Sequence, residues 1–151
     1  MENVCIRECT RDDIDEVYQL DVQWAREDIT HGFISSAREE FINWLDQARS
    51  YFLVADIDGC IVGYTNGSVH ASKGLAVIPE GEQYLEIDNI YVKPEFRNKY
   101  VGGKLIDSLL QVAEHNGIKR FLVHSATKDI DRILSFYRSH GFETWYIQMF
   151  K

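Results

Sequence analysis

Positive charge is in short supply. The chain has 16 Lys and Arg against 24 Asp and Glu, a formal charge of −8 at pH 7. Attraction to phosphates dominates nucleic-acid affinity, so this balance argues against a general nucleic-acid partner. It suits an amine or other cationic substrate drawn in by long-range steering. Cysteine is also sparse: Cys5, Cys9 and Cys60 are odd in number and lack metal-ligand spacing, so no metal site is expected. The pattern points to buried, reduced thiols rather than a disulfide framework. No apolar run approaches the ~20 residues of a membrane span. The opening "MENVCIRECTRDD" has no apolar signal core. No membrane partner is expected, and the expected location is the cytoplasm.

There are only two prolines, Pro79 and Pro94, and no repeat, linker or low-complexity tract divides the 151 residues. With 45% hydrophobic and 13% aromatic residues, the chain reads as one domain over 1–151 with a full core.

Periodicity supplies the elements. "VCIRE" alternates like a strand, and Thr10 or Asp12 precedes a helical pattern with Ile14, Val17, Leu20 and Trp24 inward. Ser35 or Ser36 opens a second helix burying Phe41, Trp44 and Leu45. Glu27, Asp28, Glu39 and Glu40 are read as a solvated face of these helices. Two strand-like runs meet at Asp58-Gly59, a hairpin signal. A calcium loop from Asp56 fails, since Gly67 stands where its glutamate belongs.

"YLEIDNIYV" is a further strand. A helix follows with Leu105, Leu109, Val112 and Ala113 on one stripe, stopped at Asn116-Gly117. "RFLVHS" is a strand, "DIDRILSFYRSH" a helix, and "ETWYIQMF" a last strand. The expected fold is mixed α/β, a single central sheet flanked by helices, in the order β-α-α-β-β-β-α-β-α-β.

One stretch departs from the acidic average. "KPEFRNKYVGGKL" sets Lys93, Arg97, Lys99 and Lys104 against Glu95, between a strand and a helix. Free N–H groups at a helix start, with the helix dipole, make a seat for an anion. Gly102 and Gly103 let a ligand approach the main chain. The nucleotide-triphosphate loop G-x-x-x-x-G-K-[ST] does not fit, because Asn98 and Leu105 stand at its first and last positions. The dinucleotide G-x-G-x-x-G is absent too.

Here the chain resembles the GNAT family of acyl-CoA-dependent N-acetyltransferases. The family's [QR]-x-x-G-x-[GA] loop, after a strand ending V-x-P, corresponds to Arg97-Asn98-Lys99-Tyr100-Val101-Gly102 after Val92-Lys93-Pro94. Its later Y-x-x-x-G-F mark corresponds to Tyr137 through Gly141-Phe142. The element order matches over essentially the whole chain. Two departures stand out: Tyr100 replaces the first loop glycine, and Ile130 replaces a frequent asparagine seven residues before Tyr137.

The resemblance implies acetyl-CoA as co-substrate, no metal, and an amine acceptor, either a small molecule or a peptide. It implies pyrophosphate binding on residues 97–103, with Lys104 adjacent, and the pantetheine arm beside Ile90, Tyr91 and Val92. Tyr91 would also offer its backbone to the oxyanion. Glu86 falls at the catalytic glutamate of the histone-acetylating members, with Asp88 as the alternative base. Tyr137 falls at the general acid. Tyr100 is expected to turn outward, and His124 is a further candidate base. Family members are often dimers, so a homodimer is among the expectations. A non-catalytic acyl-CoA-binding module of the same fold is the alternative function; Glu86 and Tyr137 together favour the enzyme.

Overall fold

In the computed structural model, which describes residues 3–151, one five-stranded sheet carries helices on both faces. The strands are β1 (Cys5–Glu8), β2 (Phe52–Ile57), β3 (Cys60–Ala71), β4 (Gln83–Val92) and β5 (Arg120–Val123), in that spatial order. The first four pair antiparallel; β5 runs parallel to β4. The helices are α1 (Ile14–Glu27), α2 (Arg38–Ala48), α3 (Val101–His115) and α4 (Ile130–Ser139).

Local chemistry explains the boundaries. Asp58 and Gly59 both take positive φ, 51° and 83°, so β2 and β3 join in the tight turn expected of Asp-Gly. Thr10 caps a short 3-10 turn: the Asp13 carboxylate accepts from the Thr10 N–H at 2.8 Å, and α1 follows. Neither Ser35 nor Ser36 caps α2. The Ser36 N–H donates instead to buried Asp21 at 2.8 Å, and Glu40 reaches back to the Ala37 N–H at 3.2 Å. Helix α3 ends at Asn116, with Gly117 at φ 81°, as its sequence predicts.

Two cores flank the sheet. Helix α3 buries Val101, Leu105, Ile106, Leu109 and Ala113 against one face, where Leu85, Ile87 and Tyr137 join them. On the other face α1 and α2 bury Val17, Leu20, Phe41 and Leu45 around Phe52, Tyr64 and Tyr91. Trp24 and Trp44 pack against that second core, as expected, though both stay partly accessible. The buried Tyr64 hydroxyl donates to Asp21 at 2.7 Å, so neither polar group is stranded.

Three expectations fail. "ETWYIQMF" forms no strand: residues 142–151 have no regular structure, because no neighbouring strand takes up their backbone groups. The thiols are not uniformly buried. Cys9 is, and burial raises it to about 12, whereas Cys5 and Cys60 are exposed. Glu27 is not part of a solvated face. It lies in the last turn of α1, aimed at the end of β4, with its side chain 16% exposed.

Candidate active site

The β3–β4 register passes from Asn66 opposite Asn89 to Gly67 opposite Ile87, leaving Asp88 unmatched in a bulge. The strands approach so closely there that a Cβ on Gly67 would lie 2.8 Å from the Glu86 carbonyl oxygen, which accounts for the glycine. The β4–β5 ladder then stops at Ile87 and Val123, although β4 continues to Val92. Past that point the two parallel strands diverge.

A cleft of about 860 Å³ opens in the split. Residues 87–92 of β4 form one wall and His124 to Thr127 the other. The first turn of α3 and the inner face of α4 close the base. Above it, the segment after α1 pairs across to the chain beyond β5: His31 N–H donates to Ala126 at 2.8 Å, and Lys128 N–H to Ile29 at 2.9 Å. Trp24 stacks on Phe33 at 4.2 Å and lies 5.5 Å from Tyr91, giving that end an aromatic lining.

The helix start that the sequence marks as an expected anion seat lies at the base. The first intrahelical bond of α3 runs from the Lys104 N–H to the Tyr100 carbonyl, so the amides of Val101, Gly102 and Gly103 precede the helical ladder. Arg97, Asn98, Tyr100, Val101, Gly102 and Gly103 all line the cleft. Lys99 and Lys104 do not: Lys99 lies over the Phe96 ring at 5.4 Å, and Lys104 is exposed on α3. Arg97 is not a free cation either. Its Nη2 donates to Glu27 at 2.7 Å, its Nε to the Val92 carbonyl at 2.8 Å, and it lies over the Tyr91 ring. The Tyr91 hydroxyl completes the knot by donating to Glu27 at 2.9 Å.

Tyr100 turns outward, 61% exposed, with its hydroxyl donating to Asp107 at 2.8 Å. Its φ is 63°, in the left-handed region, which gives a conformational reason for the glycine usual at this position. Its ring covers Gly103, where a Cβ would lie only 2.5 Å from it.

Of the two β4 carboxylates, Asp88 lines the cleft and Glu86 does not. Glu86 is set back between His70 Nε2 at 3.5 Å and His124 Nδ1 at 3.4 Å. Asp88 accepts from the Ser68 hydroxyl at 2.8 Å. Water reaches it, yet protein crowds it at the cleft mouth. Partial desolvation raises its carboxyl above the usual range against that hydrogen bond, and the Glu86 charge adds to the rise.

Tyr137 is 8% exposed, and its hydroxyl has no hydrogen-bond partner among the described residues. Burial raises its pKa, so the phenol stays protonated. Sequence reasoning passed over Arg132, which lines the cleft and donates to the Asn98 side chain at 3.0 Å. It shares the cleft-facing stripe of α4 with Ile133, Phe136, Tyr137 and His140, a 3-4 spacing legible from Tyr137 outward. Ile130 is half exposed at the start of α4, and Asp129 beside it caps the helix by accepting from the Arg132 N–H.

Comparison with known proteins agrees with this architecture. Residues 14–142 match the Acetyltransferase (GNAT) family, so the chain belongs to that family and is an acyltransferase. An uncharacterized N-acetyltransferase of Archaeoglobus fulgidus is 30% identical over 110 residues, 72% of each chain. Among solved structures, Ard1 from Thermoplasma volcanium superposes with a TM-score of 0.74 at 20% identity, covering 95% of this chain and 84% of its own. AAC(6′)-Iy, in complex with a bisubstrate analogue, does so at 0.75 and 17%, covering 99% and 97%. At these identities the structural likeness speaks for the fold.

Proposed function

We propose that this protein transfers an acetyl group from acetyl-CoA directly to a primary amine. The observation that carries the reading is the meeting of three features in one cleft: a split parallel strand pair, a helix N-terminus, and the unpartnered hydroxyl of Tyr137. The helix N-terminus suits a pyrophosphate. From Ile90 to Val92 β4 has no strand on its β5 side, an edge suited to an amide-bearing arm, although the Val92 carbonyl already accepts from Arg97 Nε. An amine acceptor is carried over from AAC(6′)-Iy, whose bound analogue joins CoA to acetylneamine.

In this reading the neutral amine attacks the thioester carbonyl carbon. A C–N bond forms, the C–S bond breaks, and sulfur leaves as a thiolate. A primary alkylamine is mostly protonated near neutrality, and presenting it neutral costs about 4–5 kcal/mol. Asp88 and Glu86 are the proposed proton acceptors, directly or through water. Supporting Asp88 as the nearer base are its place on the cleft wall and its raised carboxyl. Glu86, the carboxylate expected from the family, would act behind it beside His124, which also faces the cleft. Tyr137 would donate to the departing sulfur, and the N–H groups of the split strand near Tyr91 to the oxyanion.

The test is release of free thiol from acetyl-CoA across a panel of amines. Turnover with at least one primary amine is expected. Tight CoA binding with no turnover on any amine would overturn the reading in favour of a binding module.

A further inference from the structure

Little of the chain's negative charge reaches the far end of the cleft. With the helix start at the base, an acceptor enters from the opposite end, beneath the segment after α1. The end of α1 carries two carboxylates, but both are engaged elsewhere. Glu27 accepts from Arg97 at 2.7 Å and from the Tyr91 hydroxyl at 2.9 Å, and Asp28 pairs with Lys128 at 3.0 Å. Among the described residues, two carboxylates line the cleft itself. Asp129 caps α4 by accepting from the Arg132 N–H, which leaves Asp88 to face an amine. The net charge of −8 can steer a cation to the surface, but one carboxylate inside matches one ammonium.

One side of this end is apolar. Trp24 is the middle of three near-parallel rings, with Phe33 at 4.2 Å and Tyr91 at 5.5 Å. These rings are no seat for a second cation. Arg97 already lies over Tyr91 at 5.3 Å, Phe33 covers the indole, and the indole N–H is given to the Thr30 hydroxyl at 3.1 Å. Attraction between a cation and a ring needs an open ring face. A stacked column presents edges and apolar area instead. Ile29 adds aliphatic surface at the mouth, lining the cleft while 38% exposed. The bridge between Thr30 and Thr127 spans the mouth above it.

We infer that the acceptor is a small primary monoamine carried on a flat apolar body, and that Trp24 and Ile29 select it. This rests on the proposed transfer reaction and names its substrate class. The single amino group meets Asp88, and the body lies against the Trp24 edge and Ile29, where removal of apolar surface from water favours it. A polyamine or an aminoglycoside would bring further ammonium groups into the cleft with no free carboxylate to receive them, and burying an unpaired charge is unfavourable. A peptide would have to thread beneath the Thr30–Thr127 bridge.

The test compares acetyl transfer to 2-phenylethylamine, propylamine, spermidine and an alanine tripeptide with a free amino terminus. Phenylethylamine is expected to exceed each of the others in kcat/KM by about tenfold, the effect of burying most of one ring. Trp24→Ala should erase its advantage over propylamine, acting through KM. Ile29→Asp covers the case in which Trp24→Ala does not fold, because Ile29 lies outside both cores. It should raise kcat/KM for spermidine and lower it for phenylethylamine. A parent enzyme that prefers spermidine or the tripeptide would overturn this inference and leave the transfer reading standing. An unchanged ranking in Ile29→Asp would also overturn it. Absence of turnover on every amine would overturn both.

Discussion

Glu27 and Arg97, 70 positions apart, meet at 2.7 Å and tie the last turn of α1 to the loop that opens α3. Both side chains are mostly withdrawn from water, Arg97 at 26% and Glu27 at 16%. Arg97 therefore braces the loop that opens α3 from behind, through Glu27 and the Val92 carbonyl.

Arg97→Ala and Glu27→Gln should each lower stability, with a coupling of about 1–2 kcal/mol between them in a double-mutant cycle measured by denaturant unfolding. Both should weaken CoA binding, because both loosen the loop. If Arg97 acted only as a phosphate cation, Glu27→Gln would leave CoA affinity unchanged.

Asp88→Asn should lower turnover more than Glu86→Gln while leaving CoA affinity nearly intact. The folded-state carboxyl of Asp88 lies above its unfolded value. Folding therefore favours its protonated form, and the stability linked to that proton is lost as pH rises through this window. At neutral pH the charged group is a burden on the fold, so Asp88→Asn should not lower the melting temperature. Turnover in the parent should rise with pH as Asp88 ionises and the amine loses its proton. An equal pH profile in Asp88→Asn, with Glu86→Gln inactive, would move the base to Glu86.

Tyr137→Phe should slow transfer by about 10²-fold through loss of the proton donor. Its hydroxyl has no partner among the described residues, so the phenylalanine should fold with the parent's stability or slightly more. A large drop in melting temperature at normal turnover would mean a purely structural tyrosine.

Tyr100 and Gly103 should behave as a coupled pair. Gly103→Ala alone pushes the Tyr100 ring away and breaks its bond to Asp107. In a Tyr100→Gly background the same alanine no longer meets that ring and should cost less. Tyr100→Gly relieves a left-handed residue, a gain of about 1 kcal/mol that offsets the lost Asp107 bond, and CoA affinity should stay within a few-fold. Additive effects of the two substitutions, measured by unfolding, would rule out the contact.

The elements that depend on neighbours in sequence were legible in advance. The Asp58-Gly59 turn, the α3 stripe and the glycine-flanked start of α3 follow from backbone preference and a 3.6-residue period acting within a few residues. The two family motifs are similarly local, and the residues they mark, at the start of α3 and at Tyr137, line the cleft. Three other features are contacts between segments dozens of residues apart. Glu27 looks like any helix-surface carboxylate until β4 and the α3 loop arrive beside it. Asp88 reads as an alternating strand residue until pairing with β3 leaves it in a bulge and turns it toward the cleft. "ETWYIQMF" has the composition of a strand, but a strand exists only where another offers its free N–H and C=O groups. Composition decides which backbone shapes are cheap; partners brought together in space decide which of them are satisfied.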